Sequence, residues 1–205
     1  MKEIVDFLKI AERLECEYRL TRMSDNNQQA VASHSWNMAM MAVAMEPYFT
    51  RKYDMEKVLK LCVLHDLPEA IAHDVPLHQQ DDACRMEKSM QEACAVRKIM
   101  DMIQNPDVAD CFDEYEKRVS PESKLVKALD RLDTTVQHLC AKDLKYVGEY
   151  NDNFYWKLFF SDEFAACFDF EPILKAVFKE IRRRVSDRLK NELGIDSNSF
   201  VEVAK

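Results

Sequence analysis

A chain with only two glycines in 205 residues has few places where it can turn tightly. Glycine supplies left-handed turns and close backbone approach at no steric cost. Its scarcity argues against a turn-rich β architecture and against a Gly-rich phosphate loop. Long amphipathic segments remain, so the expected fold class is all-α, in a single domain over residues 1–205. Hydrophobic residues make up 47% of the sequence, and the length is enough to bury a sizeable core.

Periodicity places the segments. Ile4, Phe7, Ala11 and Leu14 are spaced by three and four, with Val5 and Leu8 beside them, which predicts a helix from 2 to about 16. The stretch from Glu17 to Ala30 is polar and reads as a loop, with Ser24 and Asp25 as turn residues. The run from Trp36 to Met45 is apolar nearly all round. It predicts a buried central helix over about 31–46, with methionines as core filler and Pro47 at its end. A third helix starts near Asp54 and runs through Leu61-Cys62-Val63-Leu64 into His65-Asp66, where Pro68 perturbs the backbone and Asp74-Val75-Pro76 opens a loop. A helix over about 79–104 puts Met86, Met90, Ala93, Val96, Ile99 and Met100 on its apolar side. Further helices are expected at about 107–117, from Pro121 to about Ala141, and from Pro172 to about Leu193 with Gly194 as its stop. The aromatic-rich residues 151–168 suit core closure, a cleft lining or an oligomer contact.

The formal net charge is −8 and the pI about 5.2. So acidic a chain makes a poor binder of polymeric nucleic acid. A small anion can still bind where a metal and a few arginines are focused in one cleft. Met1-Lys2-Glu3-Ile4 opens no signal-peptide core, and no apolar run is long enough to span a bilayer, so no membrane partner is expected. Seven scattered cysteines without a CxxC pair suit reduced thiols in a cytoplasmic protein.

The chemistry concentrates where the apolar turn Leu61-Cys62-Val63-Leu64 meets His65-Asp66. An imidazole nitrogen beside a hard carboxylate oxygen suits divalent Mn, Fe, Co, Ni or Zn. Two adjacent ligands cannot close a coordination sphere, so others must come from elsewhere in the chain. His34 upstream and Asp130 downstream are candidates. Taken alone, His34 reads as a helix-terminal histidine bonded to backbone. Asp130 alone reads as a partner of Arg131 or Lys127, with Asp133 the alternative ligand if the helix phase differs. A carboxylate at the core edge without a cation is costly, which favours ligation for Asp66. Glu69 falls four residues after His65 and three after Asp66, hence beside them on a helix. Asp74 alone reads as a turn residue.

The order His34, His65-Asp66, Asp130, together with the pattern HD-x-x-E-x-x-x-x-D-x-P that takes in Glu69 and Asp74, resembles the HD-domain metal-dependent phosphohydrolases. The branch it looks most like contains 5′-deoxynucleotidases, and the resemblance covers roughly residues 5 to 140. It implies an HD-domain helical bundle around a metal site with His34, His65, Asp66 and Asp130 as ligands. It implies that Glu69 and Asp74 act on the attacking water or the leaving oxygen. Relatives carry an arginine before the first histidine, so Arg19 and Arg22 become phosphate contacts. The Arg-Trp pair of some members is not reproduced, since Leu20 follows Arg19, and Arg13-Leu14 offers another alignment. His73 and His78 follow the motif closely, but the next histidine is His138; without a multi-histidine pattern, one divalent ion is expected. Such relatives are commonly homodimers. The activity implied is hydrolysis of (deoxy)ribonucleoside 5′-monophosphates, with a nucleoside triphosphate, a guanosine tetraphosphate alarmone, or a non-catalytic nucleotide-binding module as the competing readings.

Overall fold

The chain is helical apart from one small hairpin, in a computed structural model that describes residues 1–74, 82–148 and 154–200. The hairpin lies where a loop was expected. Strand β1 (Tyr18–Arg22) pairs with β2 (Gln28–Ala30). Ser24 and Asp25 do sit in the turn, where the Asp25 carboxylate accepts the Asn27 N–H at 2.9 Å and Asn26 takes φ 73°. The alternation of Tyr18 and Leu20 with Arg19 and Thr21 spans too few residues, and β2 only three, for periodicity to reveal the hairpin.

Two units are assembled from interleaved segments. One comprises Met1–Leu20, Gln28–Ala44 and Tyr53–Asp130; the other comprises Thr21–Asn27, Met45–Lys52 and Arg131–Lys205. In the first, helix α1 (Lys2–Glu12) and the 3-10 turn after it bury Ile10 and Leu14, while Ile4, Val5 and Leu8 stay exposed. Helix α2 (Val31–Met45) buries Val31, His34, Ser35, Met38 and Ala42. Its opposite face leaves Trp36 63% exposed, with Met40 and Val43 alongside, so the expected all-round burial holds for one face only. Composition tells that a helix is apolar; it does not tell which face a neighbour covers.

Helix α3 (Met55–Leu64) starts on Asp54, whose carboxylate accepts the Lys57 N–H at 3.2 Å. It buries Val58, Leu61 and Cys62 and ends at His65. A tight turn through Leu67 and Pro68 leads into α4 (Glu69–Ala72). Pro68 lacks an N–H, so it suits the helix start and disfavours a continuous helix. Val75, Pro76, His78 and the expected start of the next helix near 79 lie outside the described residues. Helix α5 (Asp82–Met102) then packs on α1 and α4, and α6 (Pro106–Lys117) packs on α3 and α5. Ile10, Leu14, Val31, Leu67, Ala70, Ile99 and Phe112 form the core they share. The expected apolar side of α5 is wrong over its first half: Met86, Met90 and Ala93 face solvent, and Lys88, Glu92, Ala95 and Ile99 turn inward.

Helix α7 (Pro121–Cys140) gives its first half to the first unit and its second half to the other. The second unit continues with α8 (Lys145–Gly148), α9 (Phe154–Phe160), α10 (Asp162–Ala166) and α11 (Pro172–Arg188). A π-helical turn, Leu189–Leu193, ends at Gly194, which takes φ 68°. There glycine's left-handed freedom ends the helix. The aromatic-rich segment closes the core of this unit: Trp156, Phe159, Phe160 and Phe168 are buried, and Phe168 stacks on Phe178 at 4.6 Å. All seven cysteines are free thiols. Among the described residues no helix is long and apolar enough to cross a membrane.

Candidate active site

His34 sits in the first turn of α2 and is fully buried. His65 caps α3, and its Nδ1 lies 3.0 Å from the Cys62 carbonyl. With Nδ1 donating there, Nε2 is left to face the cluster. That Nε2 is 3.1 Å from Asp66 Oδ2, yet it is buried and makes no hydrogen bond among the described residues. His34 Nε2 lies 3.7 Å from the same Asp66 oxygen and 3.2 Å from Asp130 Oδ1. The donor atoms of His34, His65 and Asp66 all fall within 4.8 Å of one another. An ion with bonds of about 2.0–2.2 Å spaces its neighbouring ligand atoms similarly. Imidazole nitrogens with carboxylate oxygens are the donor set of a borderline divalent cation, and the arrangement can hold one. Asp130 adjoins His34, and Asp133, the alternative ligand, accepts from Gln137 Nε2 at 3.3 Å.

Around these groups stands a second layer. Lys127 Nζ is 2.6 Å from Asp130 Oδ2, and the Tyr115 hydroxyl donates to the same oxygen at 3.3 Å. Strand β1 brings the Arg19 guanidinium 3.3 Å from Asp66 Oδ2 and 3.8 Å from Asp130 Oδ1. Arg22, three residues on, projects from the other face of the strand, because side chains alternate with period two. It donates to the Asn26 carbonyl at 3.0 Å and lies over the Tyr146 ring. The structure therefore brings Arg19 to the cluster and engages Arg22 with its own turn. Arg13 is exposed.

Glu69, in the first turn of α4, is 5% exposed. Its Oε1 is 3.5 Å from Lys88 Nζ; its Oε2 is buried with no hydrogen-bond partner among the described residues. Asp74 is held through its backbone: its N–H donates to Glu17 Oε1 at 3.0 Å, while Glu17 Oε2 lies 3.0 Å from His73 Nδ1. His73 itself takes φ 66°, a conformation that favours glycine and costs about 1–3 kcal/mol for other residues.

The four carboxyl groups split into two pairs. Burial pushes Asp66 up, but the adjoining His65 and His34 outweigh it and hold the carboxyl below its ordinary range. Burial likewise raises Asp130, and Lys127, His34 and Arg19 pull it well below. Both shifts favour the ionised form, the one a metal would need. Glu69 is pushed well above its ordinary value by burial and by Asp66 and Asp74, with Lys88 and Arg19 opposing. Asp74 is also raised, by burial first, against the pull of Arg19 and Lys88. Environments that drive carboxyls apart in this way separate charge-holding from proton-handling roles. Arg19 remains charged: burial alone would lower it, but Asp130, Asp66, Asp74 and Glu69 raise it.

Sequence reasoning missed Glu17, Lys88, Glu92 and Tyr115, and read Lys127 only as the partner Asp130 would have in place of a metal. Lys127 and Asp130 share a helix at i, i+3, which is a readable signal. For Lys88 and Glu92 the signal was the alternative helical stripe leading back from Ile99. Glu17 and Tyr115 reach the site by tertiary contact, and no local pattern announces them.

Comparison with known proteins gives a consistent picture. A family model described as HD domain matches residues 11–161. The 5′-deoxynucleotidase HDDC2 of Danio rerio is 30% identical over 142 residues, covering 67% of this chain and 68% of its own. The 5′-deoxynucleotidase hdd1 of Schizosaccharomyces pombe is 26% identical over 155 residues, covering 71% and 75%. Among solved structures, a predicted metal-dependent phosphohydrolase from Magnetospirillum magnetotacticum superposes with TM-score 0.70 at 21% identity, over 89% of this chain and 93% of that one. A conserved hypothetical protein from Pyrococcus furiosus gives 0.64 at 27% identity, over 87% and 99%.

Proposed function

This chain belongs to the HD-domain family of metal-dependent phosphohydrolases, and on that premise we propose that it hydrolyses (deoxy)ribonucleoside 5′-monophosphates to nucleoside and inorganic phosphate. The observation that carries the reading is the cluster itself: His34, His65 and Asp66 offer donor atoms within 4.8 Å of one another, Asp130 adjoins His34, Arg19 reaches Asp66, and the buried Glu69 follows three residues on. Relatives named 5′-deoxynucleotidase support the substrate class.

His34, His65, Asp66 and Asp130 would hold one divalent transition-metal ion, Mn, Co, Fe, Ni or Zn. When bound, such an ion supplies an acidified water and neutralises charge on phosphoryl oxygens. Arg19, kept charged between two carboxylates, offers its planar fork to the phosphate. Glu69, the carboxyl pushed further up, keeps a proton for the leaving 5′-oxygen; Asp74 takes one from the attacking water. The water oxygen bonds to phosphorus as the P–O5′ bond breaks, and the alcohol leaves carrying the proton from Glu69. Arg22 has no role in this scheme.

Inorganic phosphate release tests it. Metal-stripped protein is resupplied with Mn²⁺ or Co²⁺ and given paired ribo- and deoxyribonucleoside 5′-monophosphates. Metal-dependent release favouring the deoxy forms is expected. Release of pyrophosphate or tripolyphosphate from larger nucleotides, with none from monophosphates, would move the assignment to those substrates. Asp74→Asn should retain metal and lose most turnover, and metal analysis should give about one ion per chain.

The interleaving of the two units' segments, and a family match that runs through both, support treating residues 1–205 as one domain. Seven free cysteines suit a reducing compartment such as the cytoplasm. The exposed stripe Trp36, Met40 and Val43 on α2 supports homodimer formation. Sedimentation of wild type against Trp36→Glu tests that, with a monomer expected for the variant.

A further inference from the structure

Helix α5 is built inside out over its first half. Met86 and Met90 are 70% and 69% exposed, whereas Lys88, Glu92, Ala95 and Ile99 share the inward face. Spacings of four, three and four make that one stripe of a helix. Turning a lysine and a glutamate inward while methionines stay in water works against stability. Local rules are broken in this way chiefly where the inward charges serve a site. The inward charges here meet Glu69. The Lys88 side chain is 19% exposed, and its Nζ lies 3.5 Å from Glu69 Oε1 and 3.4 Å from Glu92 Oε1, one turn along its own helix.

Glu69 is asymmetric as a result. Oε1 faces an ammonium; Oε2 is buried without a hydrogen bond among the described residues. A carboxyl on a free last torsion exchanges its two oxygens by a half turn. A cation fixed on one side removes that equivalence. We propose that Lys88 is a positioning residue for phosphomonoester hydrolysis: it holds Oε1 of Glu69 so that Oε2 is the oxygen presented to the reaction, and Glu92 holds Lys88. The inference rests on the hydrolase reading above and gives Lys88 no contact with substrate. Glu92 matters because a lysine stem has four torsions and would otherwise sample other partners. Since Glu69 acts in the proton transfer and not in holding the nucleotide, losing its orientation lowers kcat and spares KM.

The test uses the full chain with metal restored. Lys88→Met, Lys88→Arg and Glu92→Gln are assayed for kcat and KM on deoxyribonucleoside 5′-monophosphates, with metal content measured for each. In parallel, the rate of amine labelling at Lys88 is read by mass spectrometry in wild type and in Glu69→Gln. Lys88→Met should lose about 10- to 100-fold in kcat, the scale of a small misplacement of a catalytic group, with KM within about three-fold and metal content unchanged. Lys88→Arg should recover most of that loss, Glu92→Gln should lose about three- to ten-fold, and Lys88 should label several-fold faster in Glu69→Gln. Unchanged labelling would mean the pair does not form, and would overturn the proposal whatever the kinetics. Unchanged kcat in Lys88→Met, or an effect confined to KM, would overturn it too, leaving a structural ion pair or a substrate contact. Wild-type protein that releases phosphate from no monophosphate overturns the hydrolase reading and the positioning role with it, while the labelling still reports whether the pair exists.

Discussion

Around His65 and around His138 the chain buries polar groups under opposite rules. Near His65, two histidines, Asp66, Asp130, Glu69 and Arg19 are gathered out of water, and His65 Nε2 and Glu69 Oε2 are buried without hydrogen bonds among the described residues. Near His138, one imidazole sits among Trp156 and Phe159, its centroid 5.2 and 5.9 Å from theirs, and its Nδ1 is 3.0 Å from the Tyr146 hydroxyl. The second arrangement is what packing asks for: apolar surface around one satisfied polar group. The first is not, since concentrated buried charge adds little to stability and orphaned polar atoms reduce it. The contrast teaches where to look for function: in the groups whose burial the fold does not need.

The comparison can be broken at its strongest point. Asp66→Ala should abolish metal binding and cost at least about a thousand-fold in turnover, roughly 4 kcal/mol of barrier, with little change in the melting temperature of metal-free protein. Calorimetric metal titration beside thermal unfolding reads both; a collapse in Tm would make the cluster structural. The opposite result belongs to Trp156, which is 1% exposed. Trp156→Ala should lose about 3–5 kcal/mol in urea unfolding, as deletion of a large buried ring does.

A sharper test comes from pH. Burial pulls the His138 imidazole down from 6.5 to about 4. Between those values the unfolded chain carries a proton that the folded chain refuses. This contribution is therefore complete above pH 6.5 and declines as pH falls toward 4, by about 3 kcal/mol in all. Denaturant unfolding at pH 7 and pH 5 should show the decline in wild type and a smaller one in His138→Phe. Smallest is the effect of Tyr115→Phe, which removes one hydroxyl from Asp130 Oδ2 and leaves Lys127 in place. Metal affinity should weaken by about ten-fold, the scale of losing an outer-shell bond, and titration calorimetry would measure it.

The site candidates were legible because His65, Asp66 and the catalytic candidate Glu69 are close in sequence and because His34 and Asp130 stand in a fixed order around them. Helix α3, its Asp54 cap, and the break at Pro68 were legible for the same local reasons. The hairpin was not, having too few residues to show a period. Nor was the placement of Arg19 against Arg22, which depends on which face of β1 looks inward. In α5 the apolar residues suggested one face and the neighbours chose another.

By itself the sequence determined that the chain is helical, through glycine scarcity and apolar spacing, and that a histidine-carboxylate set interrupts an otherwise apolar turn. Both are local properties, written in residues a few positions apart. Only the tertiary structure decided which polar groups meet: the Glu17 carboxylate with the Asp74 N–H, Lys88 with Glu69, the Tyr115 hydroxyl with Asp130. Those partners are separated by 57, 19 and 15 residues. Their meeting depends on how whole helices are rotated about their axes, which burial of distant surfaces sets and local spacing does not.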